Sequence, residues 1–179
     1  RTLGRFVHTP APDRVEIRGG QSRGKRVPRF TLDRTEVTVD AYARCVAAQK
    51  CDPPSAGPGF DWKVPGRERH PINGVSASMA ASYCEWAGAR LPSEREWAWA
   101  ARGREDNRLF PWGRDPPTCA LAVMMEDGSG CGLGHTADVG SRPGGSSRDG
   151  VQDLAGNVAE WVENSASGLR LVSDYYISV

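Results

Sequence analysis

Three segments of the chain carry apolar residues at the three-to-four-residue spacing of an amphipathic helix. This spacing predicts helices over residues 38–50, 78–87 and 93–103. In the third segment, Ser93 and Glu96 are placed to form a capping box, in which each side chain accepts a hydrogen bond from the backbone N–H of the other. The middle of the chain is therefore expected to supply most of its helical structure.

Strand signals are short and lie near the N-terminus. Apolar and polar residues alternate over 15–18 and 30–33, which predicts two strands, and Gly19 and Gly20 are expected to form the turn between them. Residues 104–150 are rich in turn-forming residues, and a loop region of this length inside one domain is usually ordered by its function, by disulfides or by metal. The pattern indicates a loop-rich α+β domain.

Size and composition are those of one folded domain. The 179 residues include 21 glycines and 13 prolines, which favours a loop-rich domain over a long helical bundle. We expect residues 1–14 to form an irregular N-terminal arm and residues 15–179 to form the domain. The longest apolar run, residues 120–125, is far shorter than the ~20 residues of a membrane helix. No membrane span is therefore expected.

The charge of the chain is nearly balanced, with 23 basic and 22 acidic residues and a net charge of +1. Such a chain has no overall electrostatic attraction to nucleic acid or to anionic membranes, and a nucleic-acid role would need a local patch. The balance argues against a nucleic-acid partner and leaves a protein or peptide ligand as the partner to expect.

Four of the five cysteines bracket short loops, Cys45 with Cys51 and Cys119 with Cys131. We predict these two disulfides, the alternative being five reduced thiols in a cytosolic protein. Disulfides persist in oxidising compartments, so an extracytoplasmic location is expected, whether periplasmic, secreted or surface-anchored. Cys84 lies in the second predicted helix and is expected to be a buried, inert thiol.

Six blocks of residues occur in the same order as in a known family. They are TEVTV at 35–39, PINGVS at 71–76, YCEWAGARLPSEREW at 83–97, AARG at 100–103, FPWG at 110–113 and GVQDLAGNVAEW at 150–161. Through these blocks the chain resembles the formylglycine-generating enzyme, or sulfatase-modifying factor, family. The resemblance implies a modified C-type-lectin-like fold with a few helices, a small antiparallel sheet and much ordered loop.

The last block contains the donors of a candidate calcium site. Asp153, the backbone carbonyls of Gly156 and Val158, and Glu160 are hard oxygen donors at alternating positions, which suits Ca²⁺. The resemblance implies the same cofactor, because members of the family hold calcium at this motif. The alternative is that Asn157 and Glu160 only hydrogen-bond to the backbone in a tight turn.

The resemblance is incomplete where the chemistry of the family lies. Its oxidases bind copper(I) through two cysteines near the C-terminus, and no cysteine follows Cys131 in this chain. We therefore expect the usual C-terminal segment to be lacking here, with copper as a cofactor only if such a segment supplies the cysteines. The ergothioneine-type branch holds iron with histidines, and His8, His70 and His135 lack metal-ligand spacing.

Aromatic residues supply one further candidate site. Phe60 and Trp62 lie in an insertion-like loop and form a candidate ligand-binding platform, the alternative being a loop anchor packed on the domain. Trp86, Trp97 and Trp161 are expected in the core.

The function that these observations favour is a non-catalytic recognition or accessory protein, stabilised by calcium and pinned by disulfides. The alternative is a formylglycine-generating oxidase of sulfatase cysteines whose catalytic C-terminal segment lies outside this chain. A third possibility is a structural domain of a larger protein, such as a kinase-linked sensor. Catalysis by these 179 residues is left open, with the absent oxidase cysteines arguing against it.

Overall fold

A computed structural model describes residues 13–125, 130–164 and 168–172. Its three helices are α1 Val39–Ala47, α2 Ala77–Trp86 and α3 Glu94–Ala101. Its strands are β1 Arg14–Ile17, β2 Gly20–Ser22, β3 Lys25–Val27, β4 Phe30–Asp33, β5 Glu160–Asn164 and β6 Gly168–Val172. They form three antiparallel pairs, β1 with β4, β2 with β3 and β5 with β6. The loop-rich α+β class expected from the sequence is confirmed.

Each helix begins at a hydroxyl-bearing N-cap residue. The side chains of Thr38, Ser76 and Ser93 each accept a hydrogen bond from the backbone N–H three residues later. In α3 the Glu96 carboxylate also accepts from the Ser93 N–H at 2.8 Å, so the predicted capping box is present. Helix α1 ends before its predicted end because Gln49 adopts a left-handed φ of 56°.

The N-terminal strands differ from the expectation at Gly19 and Gly20. These residues do not join β1 directly to β4, because the hairpin β2–β3 is inserted between the two strands. The hairpin turns at Arg23 and Gly24, with φ values of 48° and 73°, the left-handed pair that a two-residue hairpin turn requires. A Cβ on Gly19 would lie 2.6 Å from the Val27 carbonyl oxygen, so the chain passes closely there.

The core consists of two large buried clusters and a small third one. The first joins β1, β3, α3 and β5, and it contains the predicted buried face of α3, formed by Trp97, Ala100 and Ala101. The second joins α1 and α2. A cavity of about 330 Å³ is lined by residues of both large clusters.

Both predicted disulfides are present. Cys45 is bonded to Cys51 with a Cα–Cα distance of 5.3 Å, and Cys119 is bonded to Cys131 with a Cα–Cα distance of 5.8 Å. The first closes the loop after α1, and the second pins the loop region that follows α3. Among the described residues, no helix is long and apolar enough to cross a bilayer.

Candidate functional site

Three carboxyl groups come together beside the cavity. Glu36 follows β4, Asp153 lies in the loop before β5, and Glu160 opens β5. Glu36 lies close enough to the other two for both to act on its ionisation. Both carboxyl oxygens of Glu36 are buried, and neither has a hydrogen-bond partner of ordinary geometry among the residues that the structure describes. A buried acid without a donor is uncommon in a folded protein, because its charged form is costly unless a proton or a cation neutralises it.

The electrostatics of this acid cluster follow from burial. Desolvation raises the pKa of Glu36 well above its usual value, and the carboxylates of Asp153 and Glu160 raise it further. Desolvation also raises the pKa of Glu160 to about 7, opposed by a hydrogen bond from Trp97 and reinforced by the Asp153 charge. A cation bound between these groups would replace the protons that the cluster otherwise holds.

The loop that carries Asp153 is held in place by the segment before it. The Gly140 N–H donates to Asp153 Oδ2 at 2.5 Å. Asn157 makes two hydrogen bonds to the backbone of Ala137, at 2.9 and 3.3 Å. Asn157 therefore hydrogen-bonds to the backbone, as the tight-turn alternative predicts. Glu160 instead accepts from the Trp97 indole N–H at 3.1 Å.

The remaining predicted donors are the backbone carbonyls of two loop residues. Gly156 is buried with a φ of 83°, and Val158 is half-buried. Within the described ranges, no three His, Cys, Asp or Glu side chains are by themselves spaced to hold a metal ion. A calcium ion at this place would therefore need carbonyl oxygens as well as carboxylates, which is the mixed donor set that Ca²⁺ commonly takes.

Cys84 lines the same cavity as Glu36 and Glu160. It is the free cysteine of the structure, and its side chain is half-buried. Burial raises the pKa of its thiol to about 11, so the thiol is protonated at neutral pH. A protonated thiol is a weak nucleophile and a poor ligand for a soft metal.

His70 belongs to a different buried network. Its Nδ1 lies 2.7 Å from Thr136 Oγ1, and the Thr136 hydroxyl donates to Asp61 Oδ2 at 2.8 Å. Since that hydroxyl gives its proton to Asp61, it accepts the Nδ1–H of His70. Arg67 completes the network by donating to Asp61 at 2.5 Å. His70 is thus a hydrogen-bonded loop residue in this structure, and the ring of His135 lies 5.6 Å from it.

The prediction of an exposed aromatic platform is wrong for Trp62. Its side chain is only 8% exposed and packs edge-on against Tyr42, with 6.2 Å between ring centroids. The loop turns inward because the Asp61 N–H donates to Asn73, which brings Trp62 onto the α1–α2 cluster. Trp62 is therefore the loop anchor of the alternative interpretation.

Phe60 is half-buried and covers Gly74, where a Cβ would lie 2.7 Å from its ring. A ligand-binding role for Phe60 stays a prediction. Of the three tryptophans expected in the core, Trp97 is buried, whereas Trp86 and Trp161 are half-buried.

Sequence reasoning missed Glu36 as a member of the acid cluster. Its position three residues after the predicted strand 30–33, inside the TEVTV block, was the available signal. No spacing rule connects it to Asp153, because more than a hundred residues separate them in the chain.

Comparisons with known proteins agree with the arrangement of blocks along the chain. A family model described as "Sulfatase-modifying factor enzyme 1-like domain" matches residues 4–177. The chain is 36% identical over 114 residues to the formylglycine-generating enzyme of Mus musculus, covering 59% of this chain and 30% of that protein. It is 39% identical over 108 residues to the hercynine oxygenase of Mycolicibacterium smegmatis, covering 57% of this chain and 23% of that protein.

Among solved structures, a crystal structure of CarF matches with a TM-score of 0.66 at 20% identity, covering 89% of this chain and 84% of that one. This likeness concerns the fold alone. The chain spans less than a third of the length of the two curated relatives just described.

Proposed function

We propose that this chain, which belongs to the sulfatase-modifying factor enzyme 1-like family, is a non-catalytic recognition or accessory protein stabilised by calcium. The observation that carries this proposal is the state of the thiols. All five cysteines of the sequence lie among the described residues, four of them are paired in disulfides, and the fifth is Cys84. These residues therefore supply no pair of free thiolates to hold copper(I).

Calcium is the cofactor that the acid cluster fits. Its ligands would be the carboxylates of Asp153 and Glu160 and the carbonyl oxygens of Gly156 and Val158, with the Glu36 carboxyl group adding negative charge beside them. What supports this is the Glu36 carboxyl group, which is buried beside two further acids and finds no donor of ordinary geometry within the described ranges. The ion would supply positive charge and tie the segment after β4 to the start of β5, which is a structural role.

The partner we propose is a protein or peptide ligand, and the location is extracytoplasmic. The two disulfides support that location, because such bonds persist in oxidising compartments.

The second candidate is a formylglycine-generating oxidase that draws its copper ligands from outside these 179 residues. The similarity to the mouse enzyme favours it, because the chain covers only 30% of that protein.

A turnover assay on the 179-residue chain tests whether these residues are catalytic by themselves. The same assay on the protein purified from its natural source separates the two candidates, because only there could copper ligands from outside these residues take part. The chain is incubated with copper, oxygen and a sulfatase-type peptide that carries the Cys-X-Pro-X-Arg sequence, and mass spectrometry follows loss of sulfur from the peptide. We expect no formylglycine, whereas an active family oxidase run in parallel converts the same peptide. Turnover by this chain would overturn the non-catalytic proposal, and a Cys84→Ser variant would show whether that thiol takes part.

A further inference from the structure

The charges of this chain are unevenly distributed along the sequence. Between Glu16 and Asp33 there are five basic residues and no acidic one, namely Arg18, Arg23, Lys25, Arg26 and Arg29. The whole chain carries a net charge of only +1, so the remainder is acidic overall. One short segment therefore carries five positive charges that no acidic residue within it balances.

This basic segment forms the hairpin β2–β3 and its two flanks, and all five basic side chains are exposed. The base of the hairpin is fixed to the body of the domain. Val27 is 2% exposed in the first core cluster, and the Trp99 indole N–H donates to the Arg18 carbonyl at 2.9 Å. Gly20 packs so closely on the Trp99 ring that a Cβ would lie 2.6 Å from it. The five cations thus lie on or beside a hairpin whose base is packed against the core.

Most of these cations have no partner within the described part of the chain. Arg29 pairs with Glu16 at 3.0 Å, but no ion pair is made by Arg18, Arg23, Lys25 or Arg26. The acid Glu105 lies against Gly20 at the base of the hairpin, away from its turn. Like charges held together repel one another, and an anionic surface would relieve that repulsion.

We propose that the hairpin β2–β3 docks the protein on the face of a bilayer that contains anionic phospholipid. Each cation near such a surface adds to the attraction, which falls off within a Debye length. Arg23 lies in the turn and Lys25 and Arg26 follow it in β3, so a flat surface that touches the turn meets exposed cations. This inference does not depend on the proposed function.

The residue types on the hairpin favour a bilayer over the other anionic partners. Its exposed residues include no aromatic or large aliphatic side chain. Protein interfaces usually depend on such anchors, and single-stranded nucleic acids need aromatic rings for stacking. A purely cationic contact with lipid headgroups needs neither.

Vesicle sedimentation tests the proposal. Phosphatidylcholine vesicles with about 30% phosphatidylglycerol are compared with pure phosphatidylcholine vesicles in about 0.1 M NaCl. We expect binding to the anionic vesicles to be at least about tenfold tighter and to weaken steeply as salt is raised. Combining Arg23→Glu, Lys25→Glu and Arg26→Glu should remove that preference.

The matched control combines Lys50→Glu, Lys63→Glu and Arg114→Glu. It makes the same change in net charge at exposed, dispersed positions, and we expect it to change vesicle binding less than about twofold. Thermal melting checks that both triple variants remain folded. Equal losses in the two variants, equal binding to both kinds of vesicle, or tighter binding to duplex DNA or an acidic peptide at matched anionic charge would each overturn the proposal.

Discussion

The acid cluster around Glu36 and the network around His70 are both buried and polar, but they differ in how their hydrogen bonds are satisfied. In the His70 network a chain of donors runs from His70 through Thr136 to Asp61, with Arg67 as counterion. In the acid cluster, neither Glu36 oxygen has a donor of ordinary hydrogen-bond geometry in the described part of the chain.

This difference separates a network whose buried polar groups are paired from a cluster in which the carboxyl group of Glu36 is not. A buried network whose donors and acceptors match stabilises the loops that it joins without any ligand. A buried acid without a matching donor, such as Glu36 beside two further acids, is costly unless it binds a proton or a cation. The acid cluster is therefore the place where the protein should respond to metal, and the His70 network should be indifferent to it.

The largest expected effect is that of calcium on the acid cluster. Calcium at about 1,000 times its Kd should stabilise the fold by about 4 kcal/mol, because it binds the native state. Chelator should lower the Tm, and added calcium should restore it in differential scanning calorimetry. Glu36→Gln and Glu160→Gln should each weaken the response, whereas Glu85→Gln, an exposed acid on α2, should not. A Tm unaffected by chelator, with no bound metal detected, would remove the calcium site.

The next effect is the loss of the acceptor in the His70 network. Asp61→Ala should reduce the free energy of unfolding by about 3 kcal/mol, because Arg67 loses its counterion and the Thr136 hydroxyl loses its acceptor. Urea denaturation measures this change, with the exposed Asp115→Ala as control. The Tm shift on adding calcium should survive in Asp61→Ala. If that shift disappears, the two sites are coupled and the contrast between them fails.

A smaller effect is expected for the disulfide beside the α1–α2 cluster. Replacing Cys45 and Cys51 by Ala should cost about 2 kcal/mol, since the closed loop is short. The calcium response should again be retained, because no disulfide lies in the acid cluster.

Non-reducing peptide mapping of the wild-type protein should find Cys45–Cys51 and Cys119–Cys131. Cys84 should be alkylated only after unfolding, because its thiol is half-buried and its pKa is raised to about 11. Five free thiols in protein isolated without reductant would contradict both disulfides.

The smallest effects are those of pH, and here the two regions should respond in opposite directions. Without calcium, burial holds the pKa of Glu160 at about 7, so the folded state binds more protons than the unfolded state near neutrality. Stability from this group is present at low pH and is lost as pH rises through about 7, a change of about 1 kcal/mol between pH 6 and pH 7.

Burial lowers the pKa of His70, against the attraction of Asp61 and Asp138 for its charged form. The contribution of His70 to the free energy of unfolding is therefore present when the pH is above the usual pKa of histidine. It is lost as the pH falls from there through the lowered pKa of His70. Chemical denaturation across this range in chelator should show the first trend disappear in Glu160→Gln and the second in His70→Gln. The same pH dependence in all three proteins would contradict both assignments.

Features set by short stretches of sequence were predicted well. Ser93 and Glu96 form their capping box because both partners lie within one helical turn. Each disulfide joins cysteines only 6 or 12 residues apart, so a local loop brings the sulfurs together. The order of the sequence blocks was enough to indicate the family and, through it, the fold.

The features that sequence reasoning missed depend on contacts between distant segments. Nothing near Trp62 in the chain indicates that it packs on Tyr42, because that contact forms only when the loop folds back onto α1. A turn at Gly19 and Gly20 was expected, but local pattern does not show that a whole hairpin fits between β1 and β4.

The sequence by itself determined the helix starts, the two cysteine pairs and the positions of Asp153 and Glu160 within one block. Only the tertiary structure decided that Glu36 joins them and that His70 is satisfied by Thr136 and Asp61. The physical reason is that capping and short loop closure act within a few residues of the chain. The burial of a charge, and the donors left for it, depend on which distant segments pack around it.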